Sequence, residues 1–186
     1  CYTDEPHFSA MNIPGLEQNV ILIDSVSKRY NLCGARIGCI VSHNKDVMAA
    51  AMKFAQARLC PPVLGQMAAI GALDTPDEYF DAVKEEYIKR RDFMINGLNR
   101  IEGVFTPLPM GAFYTIAELP VDDTENFARW MLEEFRVNNE TTMVTPAASF
   151  YKTPGKGRNH ARIAYVLEVE EMVKALHILE EGLKAY

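Results

Sequence analysis

The feature that most constrains the fold is the tetrapeptide Thr75-Pro76-Asp77-Glu78, a helix start. Threonine caps, proline takes the first helical position, and Glu78 closes a capping box. Beyond it Phe80, Val83, Tyr87, Met94, Leu98 and Ile101 recur at helical spacing, which predicts a helix over 76–99 of roughly seven turns. In a chain of 186 residues a helix that long is expected to join two domains along their shared surface.

Strand and helix patterns lie on both sides of it. Asn19 to Ser25 (NVILIDS) is a β-branched run of the kind buried on both faces of a sheet, and Ile37 to Ser42 (IGCIVS) predicts a second strand. Asn44 to Arg58 has helical periodicity with Val47, Met48, Ala51 and Phe54 on one face; Pro61-Pro62 ends it and starts another helix to about Leu73. After the long helix, Gly111–Leu119 reads as a strand and Thr124–Phe135 as a helix with Phe127, Met131 and Phe135 inward. Met143-Val144 and Arg162–Val166 read as strands, and Glu168–Leu183 as a last helix. Gly111–Leu119 and Arg162–Val166 are expected to share a sheet. The fold class is α/β followed by α+β, with domains at 1–73 and 74–186.

Composition narrows the function classes. With 48% hydrophobic and 24% charged residues the chain belongs with soluble globular proteins. Its net charge of −6 favours neither nucleic acid nor an anionic membrane. The cluster Lys89-Arg90-Arg91 sits among acidic residues and reads as a solvated helix face. Apolar runs fall far short of the ~20 residues that span a bilayer, and no signal peptide is visible. Cys1, Cys33, Cys39 and Cys60 show no disulfide framework and read as small core residues in a reducing compartment. Cys33, Cys39 and His43 match no recognised zinc arrangement, so no metal is expected. The expected location is cytoplasmic.

The stretch that carries chemistry is Ser25-Val26-Ser27-Lys28-Arg29-Tyr30-Asn31-Leu32-Cys33-Gly34-Ala35-Arg36-Ile37-Gly38. It sets two hydroxyls, a lysine and an arginine between two strands, at a strand's carboxyl end, where open α/β sheets bind ligands. Ser25, Ser27 and the Arg36 guanidinium suit a phosphate, the arginine through a two-pronged charge-assisted bond. Lys28 lies between them, and a buried amine beside a cation is suited to Schiff-base chemistry.

S-x-S-K followed by G-x-R-x-G resembles the cofactor-lysine segment of the fold-type I pyridoxal-phosphate enzymes, the class I/II aminotransferases. Three further segments agree in order. Pro109-Met110-Gly111-Ala112-Phe113-Tyr114 resembles the family's P-x-G-A-F-Y strand. Thr145-Pro146-Ala147-Ala148-Ser149-Phe150 stands in place of its P-G-x-x-F loop, and Arg162-Ile163 resembles the strand whose arginine grips the substrate's α-carboxylate. The resemblance implies that Lys28 anchors pyridoxal 5'-phosphate as a Schiff base and then shuttles the proton between Cα and C4′. It implies that Ser25, Ser27 and Arg36 hold the phosphate, that Tyr2 donates its phenol to the cofactor's 3′-oxygen, and that Arg162 binds the α-carboxylate. An amino acid such as aspartate and a 2-oxo acid are the implied substrates, and a homodimer the implied assembly.

The resemblance covers the family's C-terminal half. The aspartate that pairs with the pyridine nitrogen, the aromatic that stacks on the ring, and the glycine-rich helix start of the phosphate cup have no counterpart here. The 186 residues are therefore expected to be part of an enzyme: a remnant of the cofactor domain to about Leu73, then the smaller domain. By itself the chain is expected to hold the cofactor weakly, not to transaminate, and to self-associate through apolar strands near Ile21 and Ile40. Two other readings stay open. One is another fold-type I reaction (a β-lyase, a decarboxylase or an aminocyclopropane-carboxylate synthase), since these reuse Lys28, Arg36 and Arg162. The other is a catalytically silent domain.

Overall fold

Where the long helix turns its apolar stripe inward, the second half of the chain closes around a core. In the computed structural model, which describes residues 1–3 and 5–186, helix α4 spans Asp77–Leu98 and buries Arg91, Met94, Ile95 and Leu98. Those positions follow i, i+3, i+4, i+7, one face of a helix. Strand β3 (Tyr114–Glu118) pairs antiparallel with β5 (His160–Ala164), from Tyr114 opposite Ala164 to Glu118 opposite His160. The two-residue β4 (Thr145–Pro146) pairs with the other side of β5. The two segments expected to share a sheet do so.

Alternation along these strands decides which side is wet. Thr115 and Ala117 of β3 and Ala161 and Ile163 of β5 are buried, and their neighbours in the strands are not. Helices α5 (Thr124–Glu133) and α6 (Val169–Ala185) contribute Phe127, Ala128, Met131, Met172, Ile178 and Leu179 to the same core. Buried hydroxyls inside it are satisfied. Thr106 and Thr115 bond each other, and Thr124 Oγ1 lies 2.9 Å from the Arg158 carbonyl and 2.8 Å from that of His160. Residues Phe80–Tyr186, together with the first residues of the chain, make one compact unit.

Glu5–Tyr79 makes the other. Here β1 (Leu22–Ser25) and β2 (Gly38–Val41) pair antiparallel, with Ser25 opposite Gly38. One turn of helix, α1 (Val26–Arg29), leaves β1; α2 (Lys45–Arg58) and α3 (Val63–Ala72) follow β2. Asn44 caps α2 by accepting from the Asp46 and Val47 amides, each at 3.1 Å. Asp77–Tyr79 of α4 belong to this unit.

Several expectations are corrected. The strand expected to be buried on both faces is an open hairpin strand, with Ile23 78% exposed, because a two-stranded sheet has no layer to cover it. Phe54, on the apolar face read from the periodicity of 44–58, is 79% exposed, and α2 buries no residue. All four cysteines are exposed rather than in the core. Arg91 is buried rather than solvated, its guanidinium held by Asp92 Oδ1 at 2.7 Å and by the Pro109 carbonyl at 3.3 Å. Arg90 reaches Glu86 at 2.7 Å and the Val166 carbonyl at 2.6 Å. Met143-Val144 precede β4 instead of forming it. Among the described residues no helix is long and apolar enough to cross a membrane.

Candidate functional site

Local backbone chemistry builds the lysine loop. Ser25 is extended, and its Oγ accepts the Ser27 amide at 3.2 Å, which caps the short α1. Asp24 takes the Ser25 amide at 2.7 Å on one oxygen and the Arg29 guanidinium at 3.0 Å on the other. The chain returns through a 3₁₀ turn, Cys33–Ala35, and leaves it at Arg36, whose φ of 55° is left-handed. Arg36 donates to the Cys33 carbonyl at 2.8 Å, and the Val26 amide donates to the Ile37 carbonyl at 3.3 Å. Ser25, Ser27, Lys28 and Arg36 therefore share one loop whose two ends are pinned by the β1–β2 pairing.

Gly65 of α3 supports that loop, and sequence reasoning missed it. A Cβ at Gly65 would fall 2.5 Å from the Ala35 carbonyl oxygen and 3.3 Å from Ile37 side-chain carbons, so only glycine allows this approach. Nothing local to Gly65 signals that a loop so distant in sequence rests on it. Gly38 is tight in the same way, with a Cβ there 2.9 Å from the Asp24 carbonyl oxygen.

Lys28 departs from expectation. A buried amine was anticipated, yet its side chain is exposed, because the turn of helix that carries it stands on an open hairpin.

Arg162 sits on the open face of the three-stranded sheet. Its guanidinium carbon lies 5.6 Å from the Tyr114 ring and 5.3 Å from the Phe150 ring. Both aromatics belong to motif segments, but pattern alone did not assign them to the arginine. Pairing supplies the reason: Tyr114 comes from the neighbouring strand, and Phe150 from the turn that follows β4, whose Thr145 is opposite Arg162.

Tyr2 belongs to the same unit as Arg162. Its amide donates to the Met110 carbonyl at 2.9 Å and its hydroxyl to the Ala112 carbonyl. The Arg91 guanidinium lies 4.8 Å over its ring, and the Tyr165 hydroxyl reaches the same Ala112 carbonyl at 3.1 Å. Burial pushes both phenols above their usual range, opposed in each by the positive charge of Arg91. The sequence reading did not anticipate this Tyr2–Arg91–Tyr165 cluster. Its members come from three distant parts of the chain.

The structure thus groups Ser25, Ser27, Lys28 and Arg36 within Glu5–Tyr79, and places Tyr2 and Arg162 in the other unit. Two hydroxyls and a guanidinium are donors suited to a phosphate ester, and a primary amine on the same loop is suited to an aldehyde. No group of three or more metal-ligating side chains occurs among the described residues.

Known proteins resemble this chain in sequence and in fold. The aspartate aminotransferase of Rhizobium meliloti is 29% identical over 183 residues, covering 92% of this chain and 42% of its own length. The aspartate aminotransferase of Pyrococcus horikoshii is 26% identical, covering 98% and 45%. Among solved structures, the aspartate aminotransferase of Thermotoga maritima superposes with a TM-score of 0.79 at 25% identity, over 98% of this chain and 44% of that one. The aromatic aminotransferase of Pyrococcus horikoshii does so with a TM-score of 0.81 at 27% identity, over 99% and 48%. The chain spans less than half the length of these relatives. The model of the family "Aminotransferase class I and II" matches residues 2–179. By its mixed α/β fold and by sequence, the chain belongs to the class I and II aminotransferase family.

Proposed function

We propose that this chain supplies the lysine, the phosphate-binding loop and the carboxylate-binding arginine of a pyridoxal 5'-phosphate-dependent aminotransferase. The substrates are an amino acid such as aspartate and a 2-oxo acid. The observation that carries the reading is the grouping of Ser25, Ser27, Lys28 and Arg36 on one pinned loop, in a member of this family. When bound, the cofactor supplies an aldehyde for the amino group and an electron-withdrawing ring.

The chain's own residues do the rest. Lys28 attaches the cofactor and carries the proton to and from the substrate's Cα. Ser25, Ser27 and Arg36 bind the phosphate and set the cofactor's position; charge-assisted bonds of this kind contribute ~1.5–3 kcal/mol each when shielded from water. Arg162 binds the α-carboxylate with its paired N–H donors. Tyr2 donates its hydroxyl, which now serves the Ala112 carbonyl, to the cofactor's 3′-oxygen. The exposure of Lys28 and Arg36 agrees with weak retention of the cofactor by the 186 residues alone.

Reductive trapping tests the assignment even where binding is weak. The chain is incubated with millimolar pyridoxal phosphate, reduced with borohydride and mapped by peptide mass spectrometry. Label is expected on Lys28 well above the other lysines, reduced about 3–10-fold by Arg36→Ala, which removes one charge-assisted bond. Label spread evenly over the lysines would overturn the assignment.

A further inference from the structure

Residues 147–162 fold back on themselves beside Arg162. The Ala147 amide donates to the His160 carbonyl at 2.9 Å, and the Phe150 amide closes the turn on the Ala147 carbonyl at 2.9 Å. Two consecutive side chains then engage two alternate residues of β5. The Phe150 ring faces the Arg162 guanidinium at 5.3 Å, and the Tyr151 hydroxyl is hydrogen-bonded to His160 Nδ1 at 2.8 Å. His160 and Arg162 share one face of the sheet because side chains two apart in a strand project alike.

Tyr151 is well held. Its ring meets His160 edge-to-face at 5.5 Å, and the Lys156 ammonium lies 5.5 Å over it. Gly157, at a φ of 74°, lies so close that a Cβ there would be 2.3 Å from two Tyr151 ring carbons. Phe150 is not held by burial, since 51% of it is exposed. Its place against Arg162 must come from its neighbours in the chain.

We infer that Tyr151, through its hydrogen bond to His160, is a positioning residue that keeps the Phe150 ring against Arg162 and so preorganises the guanidinium for a carboxylate. The inference rests on the carboxylate-binding role of Arg162 proposed above. An exposed arginine samples many rotamers, and binding must freeze them. A ring on each side, Tyr114 and Phe150, narrows that sampling beforehand, so less freedom is lost when the anion docks. Releasing Tyr151 frees the turn and with it one of the two rings.

The test uses the 186-residue chain, with the Arg162 Nε–Hε resonance as reporter and succinate as probe. Aromatic ring currents shift that resonance when the guanidinium lies against a ring. Tyr151→Phe keeps the ring over Gly157 and removes only the hydroxyl; His160→Leu removes the partner; His160→Gln keeps a hydrogen-bonding side chain. Tyr151→Phe and His160→Leu are expected to move the resonance towards that of an unstacked arginine and to weaken succinate about 3–10-fold, the loss of one hydrogen bond's worth of order. His160→Gln is expected to stay within about twofold of wild type, a rescue that space-filling alone does not predict. Unchanged β3 and β5 amide resonances show that the sheet is intact; if His160→Leu unfolds, Phe150→Leu replaces it and should give the same shift. Wild-type resonance and wild-type succinate affinity in Tyr151→Phe would overturn the inference. Failure of the carboxylate reading shows separately, as Arg162→Lys binding succinate like wild type, and the resonance in Tyr151→Phe still decides whether Tyr151 positions Arg162.

Discussion

Single residues that lack a side chain, or carry an unusual one, set the geometry here. Gly65→Ala would drive a Cβ to 2.5 Å from the Ala35 carbonyl, a backbone atom that cannot swing aside. We expect it to lower the stability of the Glu5–Tyr79 unit by ~1–3 kcal/mol in urea titration and to reduce trapping of the cofactor at Lys28, since Arg36 adjoins Ala35. A fully stable variant with unchanged labelling would mean that α3 shifts freely. Asp123 gives a pH-dependent counterpart. The Glu125 amide first, at 2.8 Å, and then the Arg158 guanidinium, at 3.0 Å, hold its carboxyl below the usual range. A carboxyl lowered by folding contributes stability that is fully present above its unfolded pKa, ~3.9, and is lost as pH falls through the lower folded value. Asp123→Asn keeps the α5 cap and removes the charge, so its stability should fall less than wild type between about pH 5 and pH 2. Parallel acid-unfolding curves for the two proteins would contradict this.

Elements of similar apolar content behave differently. Helix α4 presents Met94 and Leu98 to a core that also receives Phe127, Met131 and Met172. Helix α2 carries Val47, Met48, Ala51 and Phe54 with no buried position at all. The paired substitutions Leu98→Ala and Phe54→Ser measure that contrast. Leu98 is fully buried, so its truncation should cost ~2–5 kcal/mol as lost transfer energy plus a cavity. Phe54→Ser should fall within ~0.5 kcal/mol of wild type by denaturant midpoint. Equal losses at the two sites would show that α2 is buried in solution.

At the scale of the whole molecule, burial is uneven. Within Glu5–Tyr79 only Gly65 and Ala72 are buried among the described residues, while Ile23, Phe54, Leu59, Leu64, Met67, Ile70 and Leu73 face outward. So much exposed apolar surface is characteristic of surfaces that associate. We propose that a second copy of the chain covers part of it, in keeping with the homodimer that the family resemblance implies. Sedimentation should show mass rising with protein concentration, and Ile23→Lys combined with Leu64→Lys should shift the distribution towards monomer. A strict monomer at high concentration would sink the idea.

Much of this is legible in the sequence. Helix starts are local: Asn44 caps α2 through its own side chain within a turn, and Thr75-Pro76 stands immediately before α4, which begins at Asp77. Gly111–Leu119 and Arg162–Val166 read as strands of one sheet, and β3 and β5, which lie in and beside those segments, pair. The S-x-S-K and G-x-R-x-G residues lie on one loop because they are close in sequence. What the sequence left undecided is everything that depends on a distant partner. Apolar composition states that Ile23 and Phe54 favour burial, but burial needs a covering layer, which these two side chains lack among the described residues. The aromatic pair at Arg162, the Tyr2–Arg91–Tyr165 cluster and the Gly65 contact join residues from well-separated parts of the chain. Short-range propensity acts over a turn or a strand, whereas these contacts are set by how the elements pack, and only the tertiary structure decides that.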